Sequence, residues 1–262
     1  MKKEYFLLGI LSVILLAAGV WIYQIISEYQ KAEQEYEKLQ TYVKVEKKTK
    51  EPEDMKPETT EDDKEKEKPE ETVTVDFAAL QEINPDVVAW IRIPGVLEYP
   101  VVRGGDNSYY LNHTVQKTYN IAGSIFLDYR NERDFSDSKN IIYGHNMKDG
   151  SMFQNLHNYA DASYMQQHPN VVIYTPEKKL TYQIFAAVVY DDRHILHSFD
   201  YAFADQRQAF LDSIYNSRNL GNVIRDDVSV NTDSRILTLS TCMTGQDDKR
   251  FLVEAVLISE ED

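Results

Sequence analysis

Arg235-Ile236-Leu237-Thr238-Leu239-Ser240-Thr241-Cys242-Met243-Thr244-Gly245-Gln246-Asp247-Asp248-Lys249-Arg250-Phe251-Leu252-Val253-Glu254-Ala255-Val256-Leu257-Ile258 is the stretch that decides the fold. Residues 235–241 and 251–258 are rich in Leu, Ile, Val, Thr and Phe, the residues that suit a pleated and largely covered strand. Between them, residues 243–249 read as a polar loop holding Gly245 and two aspartates. If the two strands pair antiparallel, Cys242 and Arg250 stand at neighbouring strand ends. Cys242 is the only cysteine of the 262 residues, which excludes a disulfide scaffold and any Cys-rich zinc or iron–sulfur site. A free cysteine is either a small buried hydrophobe or a nucleophile. The second reading requires a base, a stabiliser of negative charge and solvent access. A strand end that opens into a loop supplies the access. Arg250, cationic at any relevant pH, suits a thiolate and an oxyanion alike; alternatively it is a surface arginine balancing Asp247 and Asp248.

Working outward, short β-type runs occur at residues 87–93, 99–102, 123–127, 140–143, 171–175 and 181–189, with Gly, Pro, Asn and Asp between them. With the two runs at the C-terminus these make a mainly β domain, a barrel or a sandwich. Helical patterns fall at 77–83, closed by Asn84-Pro85, at 151–159 with 162–167, and at 201–219, whose apolar positions are Phe203, Phe210, Leu211 and Ile214. Six histidines compete for the role of base. His145 follows the run 140–143 across Gly144 and so sits at a strand end, whereas His113, His157, His168, His194 and His197 read as solvated. Spacing alone cannot join His145 to Cys242, 97 positions away. There is no Gly-rich phosphate loop and no HExxH; Gly104-Gly105, Asp191-Asp192 and Asp247-Asp248 read as turns.

The N-terminal third has a different character. Residues 5–27 carry no charge, and at about 1.5 Å per residue they reach about 34 Å, enough to cross a hydrocarbon core of roughly 30 Å. A cleaved signal peptide would have a shorter apolar region. Lys2 and Lys3 precede the span and place the N-terminus in the cytoplasm, while Trp21 and Tyr23 suit the outer interface. Tyr29, Ala32, Tyr36, Leu39 and Val43 form one helical stripe; two heptads are too few for a coiled coil, so the stripe reads as the helix continuing out of the membrane. From 44 to 71, 20 of 28 residues are charged and three prolines interrupt, the composition of a solvated spacer. The chain thus divides into a cytoplasmic tip and anchor (1–27), a stalk and charged linker (28–72) and an outer domain (73–262). The net charge of −15 argues against nucleic acid as a partner.

Thr238-Leu239-Ser240-Thr241-Cys242 with Arg250 resembles the TLxTC…R signature of sortases. Ile142-Tyr143-Gly144-His145-Asn146-Met147-Lys148-Asp149-Gly150-Ser151-Met152-Phe153 is similar to the catalytic-histidine motif of class B. Ile83-Asn84-Pro85-Asp86-Val87-Val88-Ala89-Trp90-Ile91, Tyr99-Pro100-Val101-Val102, Asp106-Asn107-Ser108-Tyr109-Tyr110-Leu111 and Ala122-Gly123-Ser124-Ile125-Phe126-Leu127-Asp128 resemble the opening of class B domains. The resemblance implies an eight-stranded sortase-like β-barrel with an N-terminal helix, an inserted helix before the penultimate strand, and a transmembrane helix ahead of it. It implies a cysteine transpeptidase on a Gram-positive cell surface, with hydrolysis as its side reaction. Cys242 would be the nucleophile, His145 the acid and base, and Arg250 the oxyanion or substrate ligand. Asn107, Leu111 and Ser240 would line the substrate groove. The partners implied are surface proteins bearing a C-terminal sorting motif, NPQTN-like or a variant, and a peptidoglycan-precursor amine. No cofactor or metal is implied. Class B members often carry an acidic residue after the cysteine; this chain has Met243. A pilin-polymerising sortase acting on a pilin lysine, and a membrane-tethered binding module with an inert thiol, remain as alternatives.

Overall fold

A computed structural model of the chain describes residues 2–47 and 71–262. In order the elements are α1 (Lys2–Gln40), β1 (Val43–Lys47), β2 (Glu71–Val75), α2 (Phe77–Ile83), β3 (Val87–Ile93), β4 (Leu97–Val102), β5 (Ile125–Leu127), β6 (Lys139–Tyr143), α3 (Ala162–Gln167), β7 (Asn170–Tyr174), β8 (Lys179–Asp191), α4 (Ile195–Ser198), α5 (Ala204–Tyr215), β9 (Val223–Ile224), β10 (Ile236–Met243) and β11 (Gln246–Glu261). Short 3₁₀ turns lie at Tyr109–Leu111 and Gln154–Ala160.

Strands β11, β10, β6, β5, β4, β3, β7 and β8 are hydrogen-bonded in that order, and β8 pairs again with β11, closing an eight-stranded barrel; β9 adds to the side of β8. All eight runs expected from the sequence are its staves, and α5 precedes the penultimate strand, as the resemblance implies. On β11 successive residues face opposite ways. Phe251, Val253 and Ala255 enter the barrel interior, while Leu252 and Val256 join a second cluster with Phe185, Val188, Phe210, Leu211 and Ile214 beneath α5. With both faces covered there, its stretch 251–258 is apolar except for Glu254, without the alternation of a half-exposed strand.

The outer face also holds a buried ion pair. Lys139 Nζ lies 2.7 Å from Glu254 Oε2, both side chains are wholly buried, and Thr238 Oγ1 donates to the same carboxylate at 2.8–2.9 Å. The Lys139 ammonium sits 3.8 Å over the Phe210 ring of α5. Burial pulls its pKa down to about 8, against the opposing pull of Glu254.

Four local expectations are corrected. The stripe on α1 does not project as a free stalk: Ala32, Tyr36 and Leu39 are buried against the barrel, and the Tyr36 hydroxyl donates to Gly123 O at 2.6 Å. The two ends of the charged stretch, Val43–Lys47 and Glu71–Val75, pair as antiparallel strands; the rest of the expected spacer lies outside the described residues. The helix expected at 201–219 is only Ala204–Tyr215, because Phe199 and Tyr201 fold back onto Phe210 and Arg207 Nη1 bonds Tyr201 O. In the expected helix 151–159, Met152 takes a positive φ of 56°, and helical turns begin only at Gln154.

Replacing Lys139 by Met strands a buried carboxylate and should lower stability by about 3–5 kcal/mol. Lys139→Met with Glu254→Gln should recover most of that loss. Denaturant unfolding of the detergent-solubilised chain measures both, and equal losses in the single and double variants would contradict this account.

Candidate active site

Strand register brings the sequence-predicted residues together. β10 and β11 are antiparallel with Cys242 directly opposite Arg250. The segment 243–249 is not an open loop: Met243 pairs with Gln246 around Thr244-Gly245, where Gly245 has a φ of 73°. Residues 247–249 bulge out of the ladder, so Arg250 returns to register opposite the cysteine. β6 runs parallel to β10 with Tyr143 opposite Ser240, and Gly144 N continues the ladder to Ser240 O at 3.1 Å. Two residues beyond each member of that pair stand His145 and Cys242. Gly144 has to be glycine, because a Cβ there would lie 2.5 Å from Ile125 Cδ1 and 2.6 Å from Phe153 Cγ.

Cys242 is exposed. A groove of about 240 Å³ is lined by Cys242, His145 and Arg250, together with Asn107, Leu111 and Ser240. His145 Nε2 contacts Leu111 O at 2.6 Å; a carbonyl only accepts, so Nε2 carries a proton and the lone pair of the neutral ring belongs to Nδ1. Arg250 Nη1 donates to Asp247 O and Lys249 O, both at 2.9 Å, and thus to backbone carbonyls rather than to the nearby carboxylates. Leu111 is exposed on the groove and is not a core residue. The amide of Asn107 is already engaged: Nδ2 donates to Asp128 Oδ2 at 2.8 Å, and Oδ1 accepts from Tyr129 N.

Two histidines that read as solvated in the sequence are built into this site. His157 Nε2 donates to Cys242 O at 3.2 Å while its ring stacks on Phe251, and Asn146 Nδ2 donates to the same carbonyl at 3.1 Å. Leu156 and Tyr159, both buried, flank His157 closely, which is the one signal in the sequence that its ring is partly covered. His194 lines the groove with Nε2 3.1 Å from Asp128 Oδ2, an oxygen that also accepts from Tyr143 Oη at 3.0 Å. Nothing in the spacing links His194 to Asp128. Desolvation holds the pKa of both His157 and His194 below the ordinary imidazole value.

The sortase domain family matches residues 91–258. The chain is 36% identical over 185 residues to sortase B of Listeria monocytogenes, covering 69% of this chain and 73% of that protein. The chain belongs to the class B sortase family. Sortase B of Bacillus anthracis in complex with AAEK1 superposes with a TM-score of 0.70 at 26% identity, over 90% of this chain and all of that one. A Staphylococcus aureus sortase B–substrate complex gives a TM-score of 0.61 at 33% identity, over 70% of this chain and 84% of that one. As a sortase, the protein is a cysteine transpeptidase. With α1 apolar and long enough to cross a bilayer, it is a membrane-anchored surface enzyme.

The depressed pKa of His157 fixes the sign of a pH effect. Above about pH 6.5 this group leaves stability unchanged; as pH falls below that the unfolded chain takes up the proton first, so stability declines until the lower folded pKa is reached. His157→Gln offers a donor that cannot titrate. It should flatten part of the fall in Tm between about pH 6.5 and pH 5, a fall to which His194 contributes with the same sign. An unchanged slope would show that His157 does not stay neutral in the fold.

Proposed function

We infer that this sortase cleaves a C-terminal sorting motif after its threonine and joins the acyl fragment to an amine of the peptidoglycan precursor. The observation that carries this is the convergence of Cys242, His145 and Arg250 from three neighbouring strands on one groove. That the similar Staphylococcus aureus sortase B has been solved as a substrate complex supports a substrate in this groove. Lys2 and Lys3 ahead of the span support an N-terminus in the cytoplasm and a barrel outside.

In the first half-reaction the Cys242 thiol gives its proton to His145 Nδ1 and the sulfur bonds to the threonine carbonyl carbon. Arg250 offers guanidinium hydrogens to the resulting oxyanion, charge that exists only after attack. The C–N bond then breaks, and His145 returns the proton to the departing amine, leaving a thioacyl enzyme. In the second half the incoming amine attacks the thioester, its proton passes to His145, and sulfur departs. The Leu111 carbonyl keeps the Nε2 proton in place, so each transfer uses Nδ1. Leu111 and Ser240 form the walls along the bound peptide, and Asn107 works through Asp128.

Incubation with a panel of sorting-motif peptides should yield a covalent adduct on Cys242 detectable by mass spectrometry, absent in Cys242→Ala. Arg250→Ala should lower kcat by about 10²–10³-fold with a smaller change in KM. Arg250→Lys should also be poor, since a point charge does not reproduce a planar fork. Near-normal turnover in Arg250→Ala would remove the oxyanion role.

A further inference from the structure

The outer domain touches α1 earlier than a stalk would allow. Residues 5–24 of α1 are exposed, but Ile25, inside the uncharged run, is already half-covered, as are Ser27, Glu28 and Tyr29. Asn120 Nδ2 donates to Glu28 O at 2.9 Å, and Gln116 N donates to Glu35 Oε1 at 2.9 Å. The loop 113–122 therefore lies beside the last uncharged turn of the helix. Trp21 and Tyr23 mark the boundary of the hydrocarbon. Glu28 stands about 10 Å beyond Trp21, the depth of the headgroups.

The surface of this loop suits that depth. Tyr119 is 62% exposed and Ile121 38%, on either side of Asn120. Tyr109 stacks on His113 at 4.1 Å, and Tyr119 meets the edge of the same imidazole at 6.0 Å, giving a row of amphipathic rings along the rim. From 113 to 122 there is no acidic residue, in a chain of net charge −15, and the single cation, Lys117, is paired with Asp86. Rings with an apolar body and a polar tip favour the membrane–water interface.

We propose that the loop 113–122 is a second membrane contact, with Tyr119 and Ile121 set into the headgroup–acyl boundary of the bilayer that α1 crosses. The same loop leads directly to the groove: Gly123 packs against Leu111 O, the carbonyl that holds His145. The contact thus holds one rim of the groove at the bilayer surface, where a lipid-borne amine would arrive. It does not depend on the chemistry assigned to Cys242.

Because Cys242 is the sole cysteine, Cys242→Ala provides a background for single nitroxide labels on the full chain in lipid nanodiscs. Labels are placed at Tyr119→Cys, at Ile121→Cys and at Glu177→Cys, an exposed turn preceding β8, whose opposite end, Asp191, lines the groove. The expected result is several-fold lower collision with a water-soluble nickel chelate at 119 and 121 than at 177, together with higher collision with oxygen. An interfacial signature at either loop position supports the contact, so failure of one variant to fold leaves the other. Water-like behaviour at both overturns it. A fall in both collision rates with dipolar broadening, the sign of two copies meeting, overturns it as well.

Discussion

The Lys139–Glu254 ion pair, with Thr238 as third member, is the constraint on which the site depends. Its three residues sit on β6, β11 and β10, the strands that deliver His145, Arg250 and Cys242. Thr238 is directly opposite Glu254, and Lys139 lies level with Ile236 on the other side of β10. A slip of one residue in either ladder would turn a charged group to the opposite face of the sheet and leave it unpaired. Such a group costs several kcal/mol, so a wrong register is penalised. The correct register sets Cys242 opposite Arg250 and level with His145.

A second layer of contacts holds the backbone of Cys242. The Cys242 carbonyl accepts from both Asn146 and His157, which belong to the segment that follows β6. Asn146 thus ties the residue after His145 to the residue bearing the sulfur, so the two move together. Across the groove, the buried carboxylate of Asp128 gathers Asn107, Tyr143 and His194 onto one oxygen. That engagement occupies the Asn107 amide, so its nearest polar partner on the groove side is Asp128.

The eight staves were legible in the sequence because period-two and apolar runs report burial on one or both faces of a strand. Cys242 and Arg250 were also legible, since they flank a single hairpin. His145 needed the resemblance, because a parallel pairing across 97 positions leaves no local trace. The stripe on α1 was visible, but its occupant was not. Ala32, Tyr36 and Leu39 cover the barrel, an arrangement that spacing on one helix cannot distinguish from a free stalk. His157 and His194 escaped for a similar reason: their partners, Phe251 and Asp128, are distant in the chain, and a lone histidine carries no periodicity.

Each of the eight staves is hydrogen-bonded on both sides, with β8 and β11 joining the ends. A sheet with an open side can capture an extended polypeptide through its main chain whatever the side chains, which is how many unrelated strands come to stick together. The barrel leaves only short stretches, such as residues 97–100 of β4, without a ladder partner on one side. A closed barrel of this kind leaves discrimination among extended chains to side chains rather than to the main chain.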